Sequence, residues 1–195
     1  MHSCILYHRG DGMKKVLITG KNSYIGNALE KWLAKEPENY QVESIDMKDG
    51  SWKERDFSSY DVVFHVAGIA HIKETASNSE LYYKVNRDLA FETAKKAKND
   101  GVRHFIFLST MSVYGIDTGI INQLTPLNPK NAYGKSKIEA EELLNKLIDD
   151  SFSVAILRPP IVYGKDCKGN YPRLAKLAIR TPLFPKIQNK RSMIH

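Results

Sequence analysis

The sequence predicts an α/β fold: a doubly wound parallel sheet with helices on both faces. Two observations predict it. Short apolar runs alternate with segments of helical period along most of the chain. The runs are continuously apolar instead of alternating apolar and polar, as strands covered on both faces require. The right-handed crossover rule then makes the arrangement doubly wound.

Residues 14–19 (KKVLIT) read as the first buried strand. Residues 24–35 follow as a helix, with Ile25, Leu29, Trp32 and Leu33 on one face. The second strand is 40–45 and the third is 61–67 (DVVFHVA). A long helix covers 80–99, with Leu81, Val85, Leu89 and then alanines on its inner stripe, and Gly101 punctuates its end. The fourth strand is 103–109 (RHFIFLS). Residues 111–131, with Pro126 and Pro129, form a loop, and 132–147 a helix. The fifth strand, 153–157, stops at Pro159 and Pro160. There are no internal repeats.

Composition narrows the class. With 195 residues, 42% apolar and 26% charged, the chain has enough for one domain with a sizeable core and part of a second. It is not a disordered, collagenous or disulfide-framework chain. The longest apolar run, 62–70, is interrupted by His65 and falls far short of the ~20 residues that span a bilayer, so no membrane segment is expected. Residues 1–12 have too short an apolar stretch for a secretory signal and read as an alternative start or a leader ahead of Met13. Two cysteines, Cys4 and Cys167, fit a reducing cytoplasm. Six histidines and two cysteines show no metal-ligand spacing, so no metal is expected. The net charge of +7 lies entirely in residues 165–195, where eight basic residues face one aspartate. That tail carries no nucleic-acid motif; it suits a small anionic ligand or an acidic partner segment.

In such sheets ligands lie beyond the carboxyl ends of the strands. After strand one comes Gly20-Lys-Asn-Ser-Tyr-Ile-Gly26, opening a helix. The glycines allow tight packing and aim backbone N–H groups, with the helix's partial positive charge, at a pyrophosphate; a simple tight turn is the plainer reading. Asp46 follows strand two, twenty residues past Gly26. Its carboxylate can accept both ribose hydroxyls and repels a 2′-phosphate, which favours NAD over NADP; a solvated strand-end aspartate is the alternative. Val66-Ala67-Gly68 after strand three let backbone approach a ligand, or simply pack closely. After strand four stands Ser109-Thr110, and twenty-three residues past Thr110 comes Tyr133-Gly-Lys-Ser-Lys137. An i, i+4 pair shares a helix face, so the ammonium can favour the phenolate of a tyrosine that otherwise ionises near pH 10, making a usable general base. Taken alone, a Tyr-x-x-x-Lys spacing reads as a surface pair. His65 reads as a buried strand histidine and His71 as a loop residue.

Taken in order, TGKNSYIG, Asp46, Asp56-Phe57, HVAG, Val85-Asn86, STMSVYG, YGKSK and LRPPIVYG resemble the extended short-chain dehydrogenase/reductase family, in particular its nucleotide-sugar epimerases. The resemblance runs from Lys14 to the last residue and implies a Rossmann-like domain over 13–164, with 165–195 beginning an incomplete substrate-binding lobe. It implies that Gly20, Ser23, Tyr24, Ile25 and Gly26 lie at the NAD pyrophosphate, and Asp46 at the ribose. Asp56 and Phe57 would frame the adenine, while Val66, Ala67 and Gly68 line the cofactor and Asn86 holds the nicotinamide side. Thr110, Tyr133 and Lys137 would be catalytic, with Thr110 and Tyr133 also touching substrate and Lys137 the nicotinamide ribose. Asn170 in Gly169-Asn-Tyr-Pro-Arg173 and Arg191 in the closing Arg191-Ser-Met-Ile-His195 are the implied UDP-sugar contacts. A homodimer pairing the helices at 80–99 and 132–147 is implied as well.

The resemblance implies a mechanism. Tyr133 removes the proton of the sugar 4-hydroxyl, hydride leaves C4 for the nicotinamide, and Thr110 steadies the reacting oxygen. The 4-keto sugar turns over and takes the hydride back on its other face. A 4-ketosugar reductase shares this machinery, and a non-catalytic NAD-binding module is the rival from another class. Dehydratases commonly carry an acidic pair after the threonine, where this chain has Met111 and Ser112. Two departures stand out. Ser23 occupies a position where the family usually has glycine, so its side chain either crowds the diphosphate or donates a hydrogen bond to it. The stretch from Asp46 to Asp56 is short, so a turn replaces the helix before strand three.

Overall fold

The first strand, β1 (Lys14–Thr19), is paired on both sides, with β2 (Tyr40–Ile45) and with β3 (Val62–His65). Beyond β3 come β4 (His104–Leu108) and β5 (Ser153–Leu157), giving one five-stranded sheet in the order β2-β1-β3-β4-β5 with every pair parallel. This computed structural model describes residues 12–70, 72, 74–75, 77–167, 170–181 and 192–195. The parallel sheet is the one the apolar runs predict: β1, β2 and β5 occupy the expected residues, and β3 and β4 lose only terminal ones. Strand order reverses between β1 and β3, which opens the ligand crevice of a doubly wound sheet at their carboxyl ends.

Side chains alternate across the strands and fill two layers. Val16, Ile18 and Phe64 meet Ile25, Leu29 and Leu33 of helix α1 (Tyr24–Leu33) on one face. On the other face Leu17, Val63, Phe105 and Phe107 meet Ala90, Ala94 and Ala97 of α3 (Leu89–Asn99) and Ala140 and Leu144 of α4 (Ala132–Asn145). Trp32, expected inside, is 64% exposed and lies flat beneath the Lys35 ammonium. At about 100° per residue it falls at the margin of the stripe defined by Ile25, Leu29 and Leu33, beyond the reach of the sheet.

The helix expected over 80–99 is interrupted. A short α2 (Ser79–Tyr82) runs into a π-helical turn, Tyr83–Asp88, before α3 begins. Its buried stripe is Tyr82, Asn86, Ala90, Ala94 and Ala97, one residue beyond the expected Leu81, Val85 and Leu89, and Leu81 is 42% exposed. The reason is Asn86: a polar residue in a buried stripe is invisible to an apolar period, and π-turns collect where function demands such a placement. The predicted turn after Asp46 is a 3-10 turn, Ser51–Lys53, tucking Trp52 into the core. A second 3-10 turn, Met111–Tyr114, opens the segment expected to be loop throughout.

Past β5, β6 (Ile161–Val162) pairs in parallel with β7 (Met193–Ile194), so this small sheet bridges the boundary expected at residue 164. Helix α5 (Asn170–Arg180) lies between them in sequence. Arg191, His71, Cys4 and all of the expected leader but Gly12 fall outside the described residues, as does the side chain of Asn170. Among the described residues no helix is long and apolar enough to cross a membrane.

Candidate active site

Segments following β1, β3, β4 and β5 converge with the first two turns of α4 around a cavity of about 590 Å³. Ser23, Tyr24 and Ile25 line it from the β1 side, Val66 and Gly68 from β3, Thr110 from β4, and Tyr133 and Lys137 from α4. Pro159, Pro160 and Cys167 close it from the C-terminal side.

The β1 turn is held from two directions. Gly20 adopts φ +104°, and a Cβ there would stand 2.9 Å from the Ala67 nitrogen, so the turn presses against the exit of β3 in a way only glycine permits. The N–H groups of Gly20 and Lys21 both donate to Ile45 O, at 3.0 and 2.9 Å, which ties the turn to the end of β2 one residue before Asp46. The glycine turn and Asp46 are thereby brought to the same edge of the crevice. Asp46 is exposed, and among the described residues its carboxylate accepts only the Lys48 N–H, at 3.0 Å. Ser23 is the N-cap of α1: its Oγ accepts the Gly26 N–H at 3.1 Å. This answers the expectation of crowding, because the hydroxyl oxygen is turned back onto the helix and its proton remains to donate. Tyr24 and Ile25 line the cavity, and their N–H groups, in the first turn, have no intrahelical acceptor.

Asp56 and Phe57 are not brought into this constellation. Asp56 is exposed and caps Ser58 through both its N–H (2.8 Å) and its hydroxyl (2.9 Å). Phe57 is a correction: its ring is fully buried against Tyr60 and beneath the Lys96 ammonium, and its N–H donates to Asp100 at 2.9 Å. A ring sealed in the core offers no face to an adenine. Ala67 is buried behind the turn, leaving Val66 and Gly68 on the cavity wall.

Asn86 acts from behind. Its Oδ1 accepts the Ile69 N–H (2.9 Å), while Nδ2 donates to Ile69 O (3.1 Å) and to the Ser136 hydroxyl (3.2 Å). One buried amide thus clamps the β3 exit loop to α4, and a Cβ on Gly68 would fall 2.9 Å from its Oδ1.

Helix α4 begins under a double cap. The Asn131 side chain accepts from Gly134 N (2.8 Å) and Glu74 accepts from Ala132 N (2.9 Å), which fixes the first turn and with it Tyr133. The Tyr133 ring is half-buried and packs against Tyr82, with ring centroids 6.2 Å apart, while the Thr110 hydroxyl engages the hydroxyl and N–H of Ser112, both at 3.2 Å. Desolvation raises the Tyr133 pKa above the ordinary tyrosine value, and the neighbouring Thr110 hydroxyl pulls in the opposite direction. Lys137 lies one turn on, buried at the cavity wall, with Nζ donating to Leu108 O at 2.8 Å and 4.5 Å above the Phe107 ring. Desolvation pushes its pKa down to about 7, opposed by the Glu141 carboxylate. The expected lowering of the phenol's pKa by this ammonium is therefore not a feature of the free chain. The lysine's donor is aimed at a carbonyl.

Two buried groups complete the surroundings. His65 is fully enclosed between β1 and β4: Nδ1 is 2.8 Å from the Thr19 hydroxyl, the ring stacks on Phe105 and Phe107, and Nε2 has no partner. It is the structural strand histidine the sequence suggests. Glu141, on the same helix face as Lys137, receives Arg158 and the Ser109 hydroxyl. Sequence reading passed over this pair, although Glu141 continues the four-residue spacing from Tyr133 through Lys137 and so lies on the inward face. Among the described residues no three His, Cys, Asp or Glu side chains gather where one metal ion could be held.

Residues 16–181 match the NAD dependent epimerase/dehydratase family. The chain belongs to this family. It is similar to the UDP-glucose 4-epimerase of Vibrio cholerae, at 34% identity covering 93% of this chain and 62% of that protein. The N-acetyl-alpha-D-glucosaminyl-diphospho-ditrans,octacis-undecaprenol 4-epimerase of Escherichia coli O157:H7 is 28% identical over 83% of this chain and 53% of its own length. The chain thus spans about half to six tenths of these relatives. Its fold is that of the Bacillus cereus UDP-glucuronic acid 4-epimerase solved with NAD, with a TM-score of 0.73 at 24% identity over 85% of this chain and 62% of that one. The site's donors suit the dinucleotide in the family's name: free N–H groups at the first turn of α1 for a diphosphate, a carboxylate at the end of β2 for a ribose, and a small-residue wall after β3.

Proposed function

We propose that this chain forms the dinucleotide-binding part of an NAD-dependent epimerase acting at C4 of a UDP-sugar. The observation that carries the reading is the meeting of Thr110, Tyr133 and Lys137 in one cavity with the first turn of α1. NAD, when bound, supplies the acceptor and then the donor of a hydride. In this reading Gly20, Ser23, Tyr24, Ile25 and Gly26 hold its diphosphate, Asp46 its ribose, and Val66 and Gly68 its inner flank. Tyr133 takes the proton of the sugar hydroxyl and later returns it. Thr110, lining the same cavity, donates to the reacting oxygen. Lys137, placed at the cavity wall against Leu108 O, would hold the nicotinamide ribose of the dinucleotide. Residues from 165 onward, with Asn170 and Arg191, begin the lobe that receives the UDP-sugar. The cytoplasm is its compartment, and a homodimer forms through α3 and α4, which lie side by side on one sheet face.

A calorimetric titration with NAD and, separately, NADP tests the reading. Binding of NAD with weak or absent NADP binding is expected, because the Asp46 carboxylate repels a 2′-phosphate. A cooperatively folded chain that binds neither would refute it. Turnover of UDP-hexoses without net NADH consumption then separates the epimerase from a 4-ketosugar reductase.

A further inference from the structure

We propose that the Glu141–Arg158 pair is the positioning element of this site, locking Thr110, Lys137 and the Pro159–Pro160 wall into one frame. The importance of those residues rests on the proposed epimerase reading; the frame itself is a matter of geometry. Glu141 lies on α4 and is almost wholly buried. Arg158 immediately follows β5 and grips it as a fork: Nε lies 3.1 and 3.2 Å from the two carboxylate oxygens and Nη2 2.5 Å from Oε2. The remaining arm, Nη1, donates to the Tyr114 hydroxyl at 2.8 Å, and the guanidinium sits 5.2 Å from that ring's centre. The Ser109 hydroxyl donates to the same carboxylate from the end of β4.

Four segments therefore meet at one ion pair, and each is near a cavity residue. Ser109 precedes Thr110. Arg158 precedes Pro159. Tyr114 closes the 3-10 turn that Thr110 caps, and Glu141 follows Lys137 by one helical turn. Backbone bonds from Ser109 N to Leu157 O (2.7 Å) and Met111 N to Pro159 O (3.2 Å) extend the β4–β5 pairing past the strands, so Arg158 and Thr110 travel together. Apolar residues of equal volume would often stabilise such a core as well; what a bidentate fork adds is direction. The carboxylate also faces Lys137. The other titratable groups around that ammonium are His65 from β3, held neutral by burial, and Tyr133 one turn back. Arg158, across the carboxylate, partly offsets the field of Glu141.

The test uses nuclear magnetic resonance on the full chain with [13Cε]lysine and methyl-labelled threonine. Lys137 and Thr110 are assigned by loss of their signals in Lys137→Met and Thr110→Ser. Glu141→Gln should lower the Lys137 titration midpoint, displace the Thr110 methyl signal and weaken NAD binding severalfold. Glu139→Gln, two residues away on the helix and paired with Arg87, should move none of these. Arg158→Lys keeps the charge without the fork; it should displace the Thr110 signal and weaken NAD binding even if Glu141→Gln fails to fold. A fall in melting temperature with both signals and NAD affinity unchanged would overturn the proposal, leaving a merely structural ion pair. Failure of the wild type to bind NAD would sink the epimerase reading instead, while the two resonances still decide on the frame.

Discussion

The imidazole of His65 makes the fold sensitive to acid in a way that can be calculated and isolated. Burial holds it neutral, with its pKa pushed down from 6.5 to about 3, and the neighbouring Lys137 pushes the same way. Its geometry agrees: the ring is fully enclosed and Nε2 has no acceptor for the second proton a cation would carry. The unfolded chain takes up that proton below about pH 6.5 and the folded chain does not, so stability falls as pH drops from 6.5 toward 3. The loss is about 1.4 kcal/mol per pH unit across that window. Between pH 7.5 and 5.0 His65 alone should therefore remove about 2 kcal/mol. Other groups titrate in the same range, so the difference against His65→Gln is the quantity to measure; that variant keeps a polar group for Thr19 but cannot titrate there. Urea unfolding at both pH values gives it directly. The wild type should lose about 2 kcal/mol more than the variant over the interval, whatever their offset at pH 7.5. Equal losses would mean that the native imidazole takes up its proton, and the account of a sealed neutral histidine would be wrong.

Three further outcomes follow from the site. Tyr133→Phe should abolish sugar-dependent reduction of NAD while leaving NAD binding, measured by calorimetry, intact; retained reduction would remove Tyr133 from the chemistry. Gly20→Ala forces a left-handed backbone position and a Cβ 2.9 Å from Ala67 N, so thermal unfolding should show a loss of about 1–3 kcal/mol and NAD binding should fail with it. Ser23→Ala removes the α1 cap and should cost about 1 kcal/mol in urea unfolding, whereas Ser23→Gly should cost only a few tenths; equal costs would show that the cap contributes nothing.

Much of the architecture was legible in the sequence. Continuous apolar runs separated by helical periods specify strands buried on both faces, and a period needs no tertiary information to be read. The ordered strand-end motifs likewise named Thr110, Tyr133 and Lys137, which the fold brings to one cavity with Tyr24 and Ile25. The misreadings share a cause. Apolar character alone places Trp32 and Leu81 inward, yet which residue faces the core depends on where the helix sits on the sheet. Phe57 follows the family's motif order, but its ring turned out to belong to the core beside Tyr60 and Lys96. Asn86, Glu141 and Arg158 are polar groups whose burial costs free energy unless partners from other elements meet them, and those partners lie 17 to 50 residues away. The charge states belong to the same category: Lys137 near neutrality and His65 far below it arise from desolvation, a property of the surrounding atoms and not of the residue. The sequence by itself determined the elements, their parallel order of use and the chemical types at the strand ends, because these depend on local periodicity and spacing. Tertiary structure alone decided which polar groups are buried and what holds them, because desolvation and hydrogen-bond partners exist only once distant segments have packed together.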